Sequence, residues 1–135
     1  MNLEKHDKQQ LSNVRMQRAY EFLADAKANL SEGRFKTAVN RSYYAVLSAV
    51  RALLILEGAN PETHEGAVTL LSLRLIRPKI LPIEVVKQFK LLYSRRTDVD
   101  YGDFATINKK EAVDSVEKAE GLIKSIENVR LSYLK

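Results

Sequence analysis

The chain has 135 residues, 22 Lys plus Arg against 17 Asp plus Glu, and 45% apolar positions. A length of this order supports one domain, 1–135, burying roughly two-thirds of the surface its unfolded chain exposes, a core that needs no metal or disulfide. The absence of cysteine excludes disulfides, thiolate metal sites and a Cys nucleophile, and two histidines, His6 and His64, are too few for a multi-histidine metal site.

Five Gly and three Pro fall between apolar-periodic segments and punctuate helices. The first segment, about Asp7 to Glu32, spaces Leu11, Val14, Ala19, Phe22, Leu23, Ala26 and Leu30 by threes and fours and stops at Gly33. Residues 1–10 carry a weak apolar pattern and are expected to fray. A second helix runs from Phe35 to Glu57 and ends at Gly58, before the Asn60-Pro61 turn. A third and shorter one, Glu62 to Ile76, stops ahead of Pro78. The fourth begins near Pro82 and places Val85, Phe89, Leu92 and Val99 along one face. In the fifth, Asn108 is an N-cap with Glu111 three residues on, followed by Ala112, Val116, Ala119, Ile123, Ile126 and Tyr133. No alternating run supports a sheet. The expectation is therefore all-α: an up-and-down helical bundle of four long helices plus one shorter helix.

Charge is unevenly spread. Between Arg74 and Arg96 there are seven basic residues against one acid, Glu84, whereas from Thr97 onward eight acids meet six bases. Such a segment reads either as a solvated helix face or as an anion-binding surface. No stretch reaches about 18 apolar residues, and the N-terminal MNLEKHDKQQ is polar where a leader would be apolar. The chain is accordingly expected to be cytoplasmic, with no membrane association and no cofactor.

The second helix is apolar nearly all round, as befits the middle of a bundle, yet Asn40, Arg41, Tyr44, Ser48 and Arg51 interrupt it at offsets of three and four. A polar stripe there must be paired inside the bundle, covered by a partner or open to a groove. In the groove reading it offers guanidinium, amide and phenol to a phosphate or a base. At the end of the fourth helix, Arg96 continues the face of Phe89 and Leu92 and needs a partner, which Asp100 can supply four residues on. His64 stands near the start of the third helix, where imidazole could stack, donate to phosphate or shuttle a proton.

Five motifs occur in order: Asn40-Arg41-Ser42-Tyr43-Tyr44-Ala45-Val46, Arg51-Ala52-Leu53-Leu54, Thr63-His64-Glu65-Gly66, Arg96-Thr97-Asp98-Val99-Asp100-Tyr101-Gly102-Asp103, and Glu111-Ala112. Together, over about residues 10 to 130, they resemble the HEPN domain family, and within it the small stand-alone prokaryotic proteins of the UPF0332 type. The resemblance implies a helical bundle, often a homodimer, frequently paired with a minimal nucleotidyltransferase antitoxin. Many such proteins are metal-independent endoribonucleases with an Arg followed, after four to six residues, by a His. That spacing is absent here, since the positions after Arg95 and Arg96 hold Asp100, Tyr101, Gly102 and Asp103.

Two uses of these residues follow. A binding module would set Arg41, Arg51, Arg95 and Arg96 around one cleft for a nucleotide or RNA, with Asn40 lending its amide and Tyr44 and Tyr101 stacking. A ribonuclease would use Arg95 or Arg96 for charge stabilisation and Asp100 or His64 as base. A purely structural or adaptor bundle is the third reading.

Overall fold

In the computed structural model, which describes residues 4–103 and 106–135, the chain forms five α-helices: α1 (Lys5–Ser31), α2 (Phe35–Leu56), α3 (His64–Leu71), α4 (Ile83–Tyr101) and α5 (Lys109–Tyr133). Four are long and one is short, and among the described residues there is no strand. Residues 1–3, part of the stretch expected to fray, lie outside the described residues, and the chain is helical from Lys5 onward. Among the described residues, no helix is long and apolar enough to cross a membrane.

Helix ends follow local chemistry. Gly33 (φ 77°) and Gly58 (φ 80°) take the left-handed conformation that closes α1 and α2, where a Cβ would be strained. The Asn108 side chain accepts a hydrogen bond from Glu111 N at 2.8 Å and starts α5. α3 starts two residues later than its apolar pattern suggests, because the Thr63 hydroxyl accepts from Gly66 N and makes Thr63 the cap. Beyond Leu71 the chain widens into a π-helical turn, Ser72–Ile76, closed by Arg77 N donating to Ser72 O at 2.9 Å. In an ordinary helical turn the Pro78 ring would press on the Arg74 carbonyl, and the wider turn relieves that clash.

α2 is the axis of the bundle and packs against α1, α3, α4 and α5. Twelve of its 22 residues are buried, including Tyr43, Val46, Val50, Leu53 and Leu54, which explains its nearly all-round apolar pattern. Its one solvent edge is Asn40, Arg41, Tyr44, Leu47, Ser48 and Arg51, all half-buried. This edge holds the polar stripe.

Polar ties lock the far end of the bundle. Ser12 donates to Ala52 O at 2.7 Å, and Arg130 Nη1 donates to Ser12 Oγ (3.2 Å) and to Asn13 Oδ1 (2.8 Å). Tyr133 donates to Glu57 at 2.7 Å, and burial together with that carboxylate pushes the phenol up to about 12. Three helices thus meet in one satisfied network.

Leu53 is wholly buried and Leu131 is half exposed. Leu53→Ala should lower the unfolding free energy by about 2–5 kcal/mol and Leu131→Ala by no more than about 0.5 kcal/mol, read from urea denaturation midpoints. Equal losses would place the core elsewhere.

Candidate functional site

Arg96 is the organising residue. Its side chain is only 12% exposed, and its Cζ lies 5.0, 5.5, 5.1 and 5.9 Å from the ring centres of Tyr43, Tyr44, Tyr93 and Tyr101. α2 supplies the first two rings and α4 the others. At these separations each electron-rich face attracts the cation, worth roughly 0.5–2 kcal/mol per good pair. Burial alone would lower the pKa of the guanidinium, but Tyr44, Tyr43 and Asp100 outweigh it and hold the value above the ordinary one.

Its partnering is incomplete. Arg96 Nη1 stands 3.7 Å from Asp100 Oδ2, an ion pair too long for a hydrogen bond. The Nε is buried without a partner. Asp100 is instead gripped by Asn40, whose Nδ2 donates to both carboxylate oxygens at 3.0 Å. The same amide accepts from Arg41 Nη1 at 2.6 Å through Oδ1. Arg41 Nε donates to Asp25 Oδ2 of α1 at 2.7 Å, and its guanidinium lies 6.0 Å over the Phe22 ring. A chain of contacts therefore runs from Arg96 through Asp100 and Asn40 to Arg41 and Asp25. Beside it opens a shallow hollow of about 320 Å³ lined by Lys36, Thr37, Asn40, Arg41, Val99 and Asp100.

His64 reaches the same tyrosines from α3. Its ring stacks on Tyr93 with centres 3.7 Å apart and planes within 8°, and its Nδ1 is 3.0 Å from the Tyr43 hydroxyl. Phe89 closes another side at 4.8 Å. Burial, aided by Arg96 and Lys90 against Glu65, lowers the imidazole pKa. Burial likewise raises that of the Tyr43 phenol. At neutral pH the two therefore meet as an uncharged pair, with one proton between Oη and Nδ1.

The four arginines expected around one cleft do not share it. Arg41 and Arg96 do. Arg95 turns toward α5, donating to Asp114 Oδ2 (2.7 Å) and Ser115 Oγ (3.0 Å). Lys118, first, and Arg95 hold the Asp114 carboxyl below the usual range, so Arg95 fastens two helices. Ten residues at 1.5 Å rise put Arg51 about 15 Å along α2 from Arg41, beside Arg15 of α1. Of the other expected residues, Asn40, Tyr44, Tyr101, Asp100 and His64 all join the Arg96 cluster, and Tyr101 is 73% exposed. Sequence reasoning missed Tyr43, Tyr93 and Asp25. Tyr93 had a signal, three residues before Arg96 on one helix face. Tyr43 and Asp25 had none, because one stood among apolar neighbours and the other on a different helix.

An unfolded His titrates near 6.5, and the folded His64 below that. The unfolded chain therefore binds the extra proton first as pH falls, so stability is full above about 6.5 and is lost toward the lower folded pKa. The urea midpoint should drop between pH 7.5 and 5.5 in the parent protein and drop less in His64→Gln. Identical slopes in both would show that His64 titrates freely.

A HEPN domain match covers residues 12–129. The chain is 30% identical over 124 residues to a UPF0332 protein of Thermotoga maritima, which spans 92% of this chain and 94% of that one. It is 32% identical over 89 residues, 65% of this chain and 60% of the other, to a Methanocaldococcus jannaschii protein named as a candidate toxin. The crystal structure of TT1696 from Thermus thermophilus superposes with a TM-score of 0.75 at 19% identity, over 87% of this chain and 97% of that one, a likeness of fold. A bundle built on a central polar-edged α2, together with a family match over nearly its whole length, makes this chain a member of the HEPN domain family.

Proposed function

We propose that the chain is a HEPN-type RNA-binding module, acting as a homodimer and forming the toxin half of a toxin–antitoxin pair with a minimal nucleotidyltransferase. The observation that carries the binding role is the housing of Arg96. Rings hold the cation in place without taking its N–H donors, and the long contact from Nη1 to Asp100 leaves hydrogen-bonding capacity for a guest. Arg41 and Lys36 add positive charge at the adjoining hollow, and the exposed Tyr101 provides a face on which an unpaired base can stack. Support for the toxin role comes from two Methanocaldococcus jannaschii relatives named as candidate toxins. The homodimer and the nucleotidyltransferase partner rest on the family resemblance.

A second reading, a metal-independent endoribonuclease, draws on one observation: His64 and Arg96 share Tyr43 and Tyr93 although they are 32 residues apart. In it Arg96 would steady the developing phosphorane charge, and a neutral imidazole would take the 2′-hydroxyl proton. Asp100 is poorly suited to be the base. Its two oxygens already accept from Asn40 and face Arg96, so they are engaged and the carboxylate serves to position the arginine.

Titration of a short single-stranded RNA, followed by fluorescence anisotropy, tests the binding role. Affinity should fall as salt rises. Arg96→Ala should weaken binding roughly tenfold and flatten the logarithmic salt slope by about 0.7, the loss of one phosphate contact. Unchanged binding in Arg96→Ala would refute the role given to this site. RNA degradation in EDTA that disappears in both Arg96→Ala and His64→Gln would favour the nuclease reading. Sedimentation at micromolar concentration should give a dimer, and a monomer would remove that part of the proposal.

A further inference from the structure

At the other end of the open edge of α2 lies a second group of cations. Arg15 of α1 is 8% exposed, yet it has no carboxylate partner among the described residues. Its Nη2 donates to Asn60 Oδ1 at 2.8 Å, and its Nη1 makes a long 3.4 Å contact to the carbonyl of Arg51. Arg51 itself makes no side-chain hydrogen bond or ion pair among the described residues, and its Nε is buried and unpartnered. Burial first, and then the positive charges of Arg51 and Arg18, lower the pKa of Arg15.

This arrangement is uncompensated. A guanidinium withdrawn from water normally meets a carboxylate, because its charge otherwise loses solvation with nothing in return. The other guanidinium groups this deeply set each face a carboxylate: Arg95 has Asp114, Arg130 has Glu127, and Arg96 has Asp100 at a longer distance. Here the buried Arg15 guanidinium touches the backbone of Arg51, within reach of the charges of Arg51 and Arg18, and the buried Arg51 Nε–H has no acceptor among the described residues. A tetrahedral oxyanion would supply what is missing, both negative charge and acceptor oxygens for forked donors.

We infer that Arg15 and Arg51 form a phosphate-binding site, with Asn60 fixing the Arg15 guanidinium and Arg18 adding charge. It stands about 15 Å along α2 from the Arg41 end of the edge and does not depend on the function proposed for the Arg96 cluster. The phosphate comes either from free inorganic phosphate or from the backbone of a nucleic acid crossing this edge of α2. The polar Asn60-Pro61 turn that holds Arg15 thereby gains a role beyond linking α2 to α3.

Thermal unfolding in inorganic phosphate, against chloride of equal ionic strength, tests the site. The midpoint should rise by roughly 3–6 °C at ten times the dissociation constant. Arg51→Gln should abolish the rise, whereas Arg96→Ala should keep it. That contrast separates this site from the tyrosine-caged one. If only a short single-stranded RNA produces the rise, and Arg51→Gln still abolishes it, the site stands and its phosphate is the nucleic-acid backbone. No rise with either probe, or a full rise in Arg51→Gln, overturns the inference. On the unaltered protein, the Arg51 Nε–H NMR resonance should move during the phosphate titration. A stationary resonance overturns it as well, whatever the variant's folding.

Discussion

Every other helix packs on α2, so its polar side chains must reach partners along the single edge that packing leaves open. That constraint creates the polar edge on which the candidate site lies. Twelve buried positions use up the apolar face of the helix, and Asn40, Arg41, Tyr44, Ser48 and Arg51 are gathered into a line between α1 and the helices on the other side. They form one edge whose two ends treat positive charge in opposite ways.

At one end the charge is distributed over many weak partners. Four phenol rings, one distant carboxylate and an amide relay hold Arg96 and Arg41 in register. Ring faces stabilise a cation without consuming its N–H groups, whereas a bidentate carboxylate would take both charge and donors. Asp100 is kept from such a pair because Asn40 draws both of its oxygens. Asn40 thus sets how much of Arg96 stays available, although it carries no charge. At the other end, among the described residues, Arg15 and Arg51 have neither ring nor carboxylate partners to answer their repulsion.

The HEPN relationship bears on these two ends differently. It accounts for the bundle and for the Arg96-to-Asp103 motif, and it directs attention to the absent Arg-to-His spacing. The tertiary structure supplies a histidine by another route, since α3 lays His64 on Tyr93 beside the Arg96 cluster.

Helix number, the ends of α1 and α2, the start of α5 and the central place of α2 were legible in the order of residues, because apolar periodicity, Gly33, Gly58 and the Asn108 cap act within one or two turns, whereas the bounds of α3 were set by the Thr63 cap and the turn before Pro78. The pairing of Arg96 with Asp100 was legible for the same reason, being a contact between residues four apart on one helix. What the order of residues could not decide was which arginines meet. Arg95 and Arg96 are adjacent in sequence yet point about 100° apart on a helix, so one fastens α5 and the other enters the tyrosine cage. Arg15 and Arg51, and likewise His64 and Tyr93, come together only through helix packing, a long-range arrangement that no local spacing encodes.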